Sequence, residues 1–167
     1  MLRHEKSGTI VIKLLVPAMI VLCFATFGFA GGPKPATLAA KDKCPVCGMF
    51  VAKYPDFAAQ IHFRDGAHAV FDGVKDMLKY YGNLSQYAPG RKKADITAIY
   101  VTNYYTLGMI DGYRAYYVSG SDVFGPMGKE LIPFDKKTDA QEFTRDHKGK
   151  TILAFKDINA SVLNSLE

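Results

Sequence analysis

Cysteine is scarce in this sequence, and what little there is lies in the N-terminal third. The 167 residues include three cysteines, Cys23, Cys44 and Cys47, and Cys23 falls within an apolar run. A disulfide between Cys44 and Cys47 would close so small a loop that it would remove little chain entropy. The scarcity therefore excludes a disulfide framework, and the Cys44/Cys47 pair is predicted to bind a metal or to act as a redox couple.

Catalytic and nucleic-acid-binding patterns are missing as well. The sequence has no Ser/His/Asp set, no paired-acid motif and no phosphate-binding loop, so we predict that the chain is not an enzyme. The longest basic cluster is Arg91–Lys93, and the net charge of +5 falls to +3 once the three basic residues and one acidic residue of the first 30 are removed. A charge of this size is weak evidence for nucleic acid, and we expect no nucleic-acid partner.

The first 30 residues have the layout of an export segment. A basic start is followed by an apolar run from Leu14 to Ala30 that ends in a small-x-small site at 28–30, the arrangement of a secretory signal peptide. A membrane span needs about 20 residues, so the run is short for one, and an uncleaved inner-membrane anchor is the alternative. Lipidation of Cys23 is disfavoured because Leu22, rather than a small residue, precedes it.

The rest of the chain predicts a linker at 31–42, rich in Pro, Gly and Ala, and an α+β domain at 43–167. Its halves, at about 43–108 and 109–167, each run strand, strand, helix, strand. We therefore predict two ββαβ units, related by internal duplication, which pack together because each is too small to hold a core alone. The predicted strands are 57–63, 67–71, 96–105, 114–119, 130–134 and 151–155, the predicted helices are 74–81, 138–147 and 157–166, and 120–128 is predicted as a Gly-rich loop.

Four details of these elements are also predicted. Alternating apolar residues make 57–63 a half-buried strand, and Pro133 places the strand 130–134 at a sheet edge. Asp72 is predicted to be the N-cap of the helix at 74–81, and Asp76 is interpreted as an acid of its first turn.

The segment Lys43–Phe50 (KCPVCGMF) carries the strongest chemical signal. Thiolates and thioethers are soft ligands, and such ligands select Cu(I) or, for thiolates, also Zn(II) and iron–sulfur clusters. In an extended segment residues i and i+2 share a face, so Cys47 and Met49 are expected to point the same way. Together they form a natural Cu(I) site.

Met127 is the second methionine of interest. It stands between Pro126 and Gly128, where no regular helix or strand is predicted for it to pack in. This setting raises the expectation of a ligand role above the usual role of methionine in core packing.

Two other functions remain open from the residues alone. Cys44 and Cys47 could form a periplasmic thiol–disulfide oxidoreductase pair, although such pairs open a helix after a strand and no helix start is predicted here. They could also form half of a structural zinc site, completed by His62 and His68 across a hairpin, for which no motif exists.

Three stretches together resemble a known family. These are Lys43–Phe50 with its C-x-x-C-G-M core, Tyr117–Ser121, and Gly125–Phe134 with the pattern G-P-M-G-x-E-L-x-P-F. Their order and spacing, over about Lys43 to Ile158, resemble those of the NosL-type nitrous-oxide reductase accessory proteins.

The resemblance implies a periplasmic Cu(I)-binding metallochaperone, often attached to the membrane, with a fold of two ββαβ halves. It further implies delivery of copper to the nitrous-oxide reductase maturation machinery, through a membrane transporter complex and its periplasmic component. The metal ligands of the family carry over onto Cys47, Met49 and Met127, with Cys44 as the additional thiol. Many members are lipoproteins, and this chain departs from them at Cys23.

Overall fold

The computed structural model describes residues 1–2 and 32–167. Residues 3–30 of the predicted export segment, Cys23 among them, therefore lie outside the described residues. Residues 32–167 belong to one compact unit. Within the described part of the chain, no helix is long and apolar enough to cross a membrane.

The elements follow the predicted order, with additions. The first part contains β1 (Ala59–Phe63), β2 (His68–Phe71), α1 (Val74–Gly82), α2 (Leu84–Tyr87), β3 (Ile96–Thr102) and β4 (Met109–Asp111). The second part contains β5 (Tyr116–Gly125), β6 (Gly128–Phe134), α3 (Lys137–Asp146), β7 (Thr151–Ala154) and α4 (Ala160–Asn164). Helix α2 and strand β4 were not predicted from the sequence.

The strands form two antiparallel sheets with the same internal order. The first sheet runs β2-β1-β3-β4 and the second runs β6-β5-β7. In each half the first strand is central, the second strand lies on one side of it, and the strand after the helix lies on the other. The prediction of an α+β fold with two ββαβ units is confirmed, as is the edge position of β6, which contains Pro133.

Helix α1 lies between the two halves and packs against β1, β2 and β6. Met77 of α1 shares one buried cluster with Phe71 from the first sheet and with Tyr117 and Leu131 from the second. The opposite face of the second sheet forms a smaller cluster with α3, which includes Phe143. Because α1 is buried on two sides, its first turn is held at the junction of the halves.

Strand β1 is buried on both faces, whereas the sequence predicted a half-buried strand. All five of its residues are buried. The second face is covered because Gln60 exchanges two hydrogen bonds of 2.8 Å with the backbone of Ala36, and because His62 stacks on His68 at 5.5 Å between ring centroids. The proline-rich segment around Ala36 covers the face of β1 that carries the polar side chains of Gln60 and His62. The alternating pattern of β1 does not reveal this cover.

The predicted Gly-rich loop at 120–128 is instead a continuous hairpin. Strand β5 runs to Gly125, the turn is Pro126-Met127, and β6 begins at Gly128. The pairing of β5 with β6 is irregular between Ser119 and Phe124. The glycines of this stretch lie in the irregularly paired strands and at the tight turn, not in an open loop. Gly128, for example, follows the turn with a φ of +88°, which glycine adopts without strain.

The start of helix α1 differs from the prediction in a way that bears on function. The N-cap is Gly73, not Asp72, and it makes no side-chain capping bond. The N–H of Lys75 donates instead to the carboxylate of Glu130, 2.7 Å away and 55 residues further along the chain. A carboxylate at a helix N-terminus satisfies an unpaired N–H and favours the helix dipole. Burial raises the pKa of Glu130 to about 7.

Gly73 leaves the space that the Glu130 carboxylate occupies, because a Cβ at position 73 would overlap that carboxylate. The substitution Gly73→Ala should therefore destabilise the protein by about 1 to 3 kcal/mol, the usual range for overpacking. Urea unfolding of each variant measures the change. Gly82→Ala is the matched control: no heavy atom lies within 4 Å of a Cβ there, and alanine favours the helix over glycine. Equal stability of the two variants would contradict this account of Gly73.

Candidate metal site

The Cys44–Phe50 segment forms a closed turn, called here the cysteine turn. The N–H of Gly48 donates to the carbonyl of Cys44 and the N–H of Cys44 donates to the carbonyl of Met49, both at 2.9 Å. An isolated bridge between Lys43 and Phe50 closes the base of the turn. Gly48 has a φ of +80°, which glycine adopts without the strain that other residues meet. The two thiols are thereby held on one side of a short, fixed loop.

Two aspartates complete a cluster with these thiols. The Cys47 thiol donates to Asp72 Oδ1 at 3.1 Å, and the Cys44 thiol donates to Asp76 Oδ2 at 3.4 Å. The two sulfur atoms and one carboxylate oxygen from each aspartate lie within 4.8 Å of one another. Asp72 lies just before the N-cap Gly73 and Asp76 lies in the first turn of α1, so the start of this helix brings both carboxylates to the cysteines.

Sequence reasoning missed both aspartates as site residues. Asp72 was predicted to cap the helix and Asp76 to be an acid of its first turn; the capping role belongs to Glu130, and both aspartates face the cysteines instead. The four-residue spacing of two acids after a C-x-x-C pair was the available signal. It was weak because acids are common in the first turn of any helix.

The environment of the thiols keeps them protonated. Burial is the largest cause that raises the pKa of Cys44 to about 11, and burial followed by the hydrogen bonds to carboxylates raises the pKa of Cys47 as well. Backbone N–H groups oppose these effects. Those of Cys47 and Val46 point to the Cys44 sulfur, and that of Met49 points to the Cys47 sulfur. Such N–H groups stabilise a thiolate, so they offset part of the effect of burial, but the pKa values of both thiols remain raised.

The cluster also contains an unsatisfied polar atom. Asp72 Oδ2 is buried and has no hydrogen-bond partner among the described residues. A buried carboxylate oxygen without a partner costs free energy, and a bound cation removes that cost. The two thiols, the orphaned oxygen and the short distances between ligand atoms all fit a metal ion.

The two methionines predicted as ligands differ in their exposure to solvent. Met49 is in the cysteine turn and is partly buried. Met127 is at the tip of the β5–β6 hairpin, 45% exposed, and its carbonyl accepts a hydrogen bond of 2.9 Å from Lys75 Nζ. The hairpin tip therefore lies against the helix that carries Asp76. Ligation by Met49 and by Met127 stays a prediction.

The geometry weakens both alternatives to copper. The cluster of candidate ligands includes neither His62 nor His68, so the proposed Cys2His2 zinc site is not formed. The cysteines occupy a turn rather than a helix start, and their pKa values are raised, whereas reactive redox thiols have lowered values.

Fold and site together define a class: a small α+β protein of two ββαβ halves with a candidate metal site, made of two thiols and two carboxylates, beside the start of the helix that lies between the halves. The NosL family model matches residues 35–163, so the chain belongs to the NosL family. The copper-binding lipoprotein NosL of Stutzerimonas stutzeri is 27% identical over 141 residues, which cover 78% of this chain and 68% of that protein. The fold matches the crystal structure of the copper chaperone NosL from Shewanella denitrificans with a TM-score of 0.65 at 20% identity, covering 77% of this chain and 97% of the other.

The substitution Asp72→Asn should lower the pKa of Cys47, because the Asp72 side chain accepts the thiol hydrogen bond and raises that pKa. The measurement is the rate of iodoacetamide alkylation of Cys47 against pH, read from its peptide by mass spectrometry. The midpoint should move to lower pH. Asp146→Asn is the control: Asp146 is an exposed residue of α3, and its substitution should leave the midpoint for Cys47 unchanged. A midpoint that stays in place or rises in Asp72→Asn would show that the carboxylate does not control this thiol.

Proposed function

We propose that this protein is a periplasmic Cu(I) metallochaperone, and not an enzyme, that supplies copper for the maturation of nitrous-oxide reductase. The observation that carries the proposal is the pair of thiols held in a closed turn, within 4.8 Å of two carboxylates, one of which has a buried oxygen without a partner among the described residues. Membership of the NosL family supports it, since relatives are described as a copper-binding lipoprotein and as a copper chaperone. The proposed partners are a membrane transporter complex and its periplasmic component.

The proposed ligands are Cys44, Cys47, Met49 and Met127. Thiolates and thioethers favour Cu(I) over harder cations. Thioethers carry no proton, so they keep binding when protons compete for thiolates. Asp72 and Asp76 accept the thiol hydrogen bonds, so each proton displaced from a thiol has an acceptor beside it.

Exposure of the sulfur-bearing residues increases from the interior to the surface. Cys44 is 1% exposed, Cys47 and Met49 are partly buried, and Met127 is 45% exposed. A copper carrier must release its ligands from the ion one at a time. The ligands of the partner protein can then bind the ion before the carrier has let go of it completely. The gradient supports transfer that begins at the methionine side and ends at Cys44.

Attachment to the membrane is a further part of the proposal. Residues 14–30 would act as a signal peptide or as an inner-membrane anchor. The lipoprotein character of the Stutzerimonas stutzeri relative supports an exported, membrane-associated protein.

The double variant Cys47→Ser, Met127→Leu should lose Cu(I) affinity by at least about a hundredfold, since changes to the outer partners of a metal ligand already cost about 10–100-fold. Competition with bicinchoninate under anaerobic conditions measures the affinity. Met77→Leu is the matched control, because Met77 is fully buried in the core and should leave the affinity unchanged.

The same titrations with Zn(II) test the remaining alternative. Cysteine and aspartate ligands also suit zinc, and a Cys2Asp2 zinc module would depend on Asp72 and not on Met127. Zn(II) binding that is lost in Asp72→Asn, together with unchanged Cu(I) binding in the double variant, would overturn the copper proposal in favour of zinc.

Affinity for Cu(I) should rise with pH between about pH 6 and 8.5. Each ligating thiol must lose a proton, and the pKa values of both thiols are raised, that of Cys44 to about 11. With two thiolate ligands, the logarithm of the affinity should rise by about two for each pH unit. In Cys44→Ser the slope should fall to about one. An equal slope in both proteins would remove Cys44 from the ligand set.

A further inference from the structure

Two ionisable residues are buried at the junction of the halves, outside the cluster of thiols and aspartates. Lys75 is 3% exposed and Glu130 is 4% exposed. Charged side chains are rarely buried to this extent, because burial costs their hydration. A specific set of contacts must offset the cost, and these contacts converge on the hairpin tip.

Lys75 is bonded to both neighbouring elements. Its backbone N–H donates to Glu130 on β6 at 2.7 Å. Its ammonium group donates to two backbone carbonyls, that of Met127 at 2.9 Å and that of Leu166 at 3.3 Å. One residue of α1 therefore contacts the hairpin through both its main chain and its side chain.

Glu130 fills the space between the helix start and the hairpin tip. Its carboxylate lies where a Cβ at Gly73 would be, and its side chain comes within 3.1 to 3.2 Å of a Cβ built at Gly125. Glycine on both sides gives the carboxylate room. Glu130 also accepts the N–H of Leu131 at 2.8 Å, which fixes its orientation.

We propose that Lys75 and Glu130 are positioning residues of the copper site. They hold the Pro126-Met127 turn against the first turn of α1, so that the sulfur of Met127 stays within reach of an ion bound by the cysteines. The inference rests on the proposed function, in which Met127 is a ligand. It adds that the methionine is held in place by a buried lysine and a buried glutamate, one from each half of the fold.

A double-mutant cycle tests this inference. Lys75→Leu removes the donor to Met127 without adding a new ligand, and should lower Cu(I) affinity by about tenfold, the lower end of the effect of outer partners on metal sites. In the Met127→Leu background the same change should have no further effect. Affinity is measured by bicinchoninate competition on the full chain, and thermal unfolding of each variant is recorded alongside.

The control is Lys129→Leu. Lys129 lies two residues beyond Met127, is exposed, and donates to the Ser165 and Glu167 carbonyls at 3.5 Å, so its loss should leave the affinity unchanged. Glu130→Leu removes the acceptor for the Lys75 N–H and should lower the affinity as Lys75→Leu does, whereas Glu130→Gln keeps an acceptor there and should restore most of it. If Lys75→Leu does not fold, Gly125→Ala replaces it in the cycle, because the added methyl group would press the hairpin tip away from Glu130.

The outcomes separate the inference from the proposed function. An equal loss of affinity with and without Met127 would show a merely structural role and overturn the inference. A loss in Met127→Leu without any loss in the position 75 or 125 variant would overturn the positioning role and leave the ligand role standing. Unchanged affinity in Met127→Leu would overturn both, since there would be no ligand to position.

Discussion

The first turn of helix α1 is held between a cysteine turn on one side and a buried carboxylate on the other. Asp72 and Asp76 accept the thiol hydrogen bonds of Cys47 and Cys44, while Glu130 from the second sheet accepts the N–H of Lys75. The helix is thus tied to both halves of the fold within five residues. The proposed metal site depends on the first turn of α1, because this helical turn fixes the distance between the cysteines and the β5–β6 hairpin.

The site combines groups that oppose one another until a cation enters. Burial and the neighbouring carboxylates raise the pKa values of the thiols, whereas backbone N–H groups lower them. One oxygen of Asp72 is buried without a partner among the described residues. A soft cation that replaces the thiol protons resolves this conflict, since it neutralises part of the buried negative charge.

The sequence predicted what depends on local pattern. Alternating and helical periods revealed both ββαβ units, and the shared sheet order supports their duplication. The expectation of an extended segment at Cys47–Met49 was wrong, because Gly48, with a φ of +80°, bends the chain into a closed turn. Pro133 correctly marked an edge strand. These features depend on contacts of short range, which spacing and residue type record directly.

The features that were missed depend on contacts between distant residues. Glu130 caps a helix that starts 55 residues earlier, so no local rule could have moved the cap away from Asp72. The aspartates meet cysteines 25 to 32 residues away, and β1 is buried on its second face by Ala36 and its neighbours. The glycines of 120–128 were ambiguous because glycine permits both an open loop and an irregular hairpin.

The central claim is that the hairpin and the cysteine turn hold one copper ion together. X-ray absorption at the selenium edge of Cu(I)-loaded, selenomethionine-labelled protein tests it most directly. The account predicts a copper neighbour of selenium that weakens in Met127→Leu and disappears when Met49→Leu is added. Bound copper with no selenium neighbour in the labelled native protein, or a selenium–copper signal that is unchanged in Met127→Leu, would contradict it.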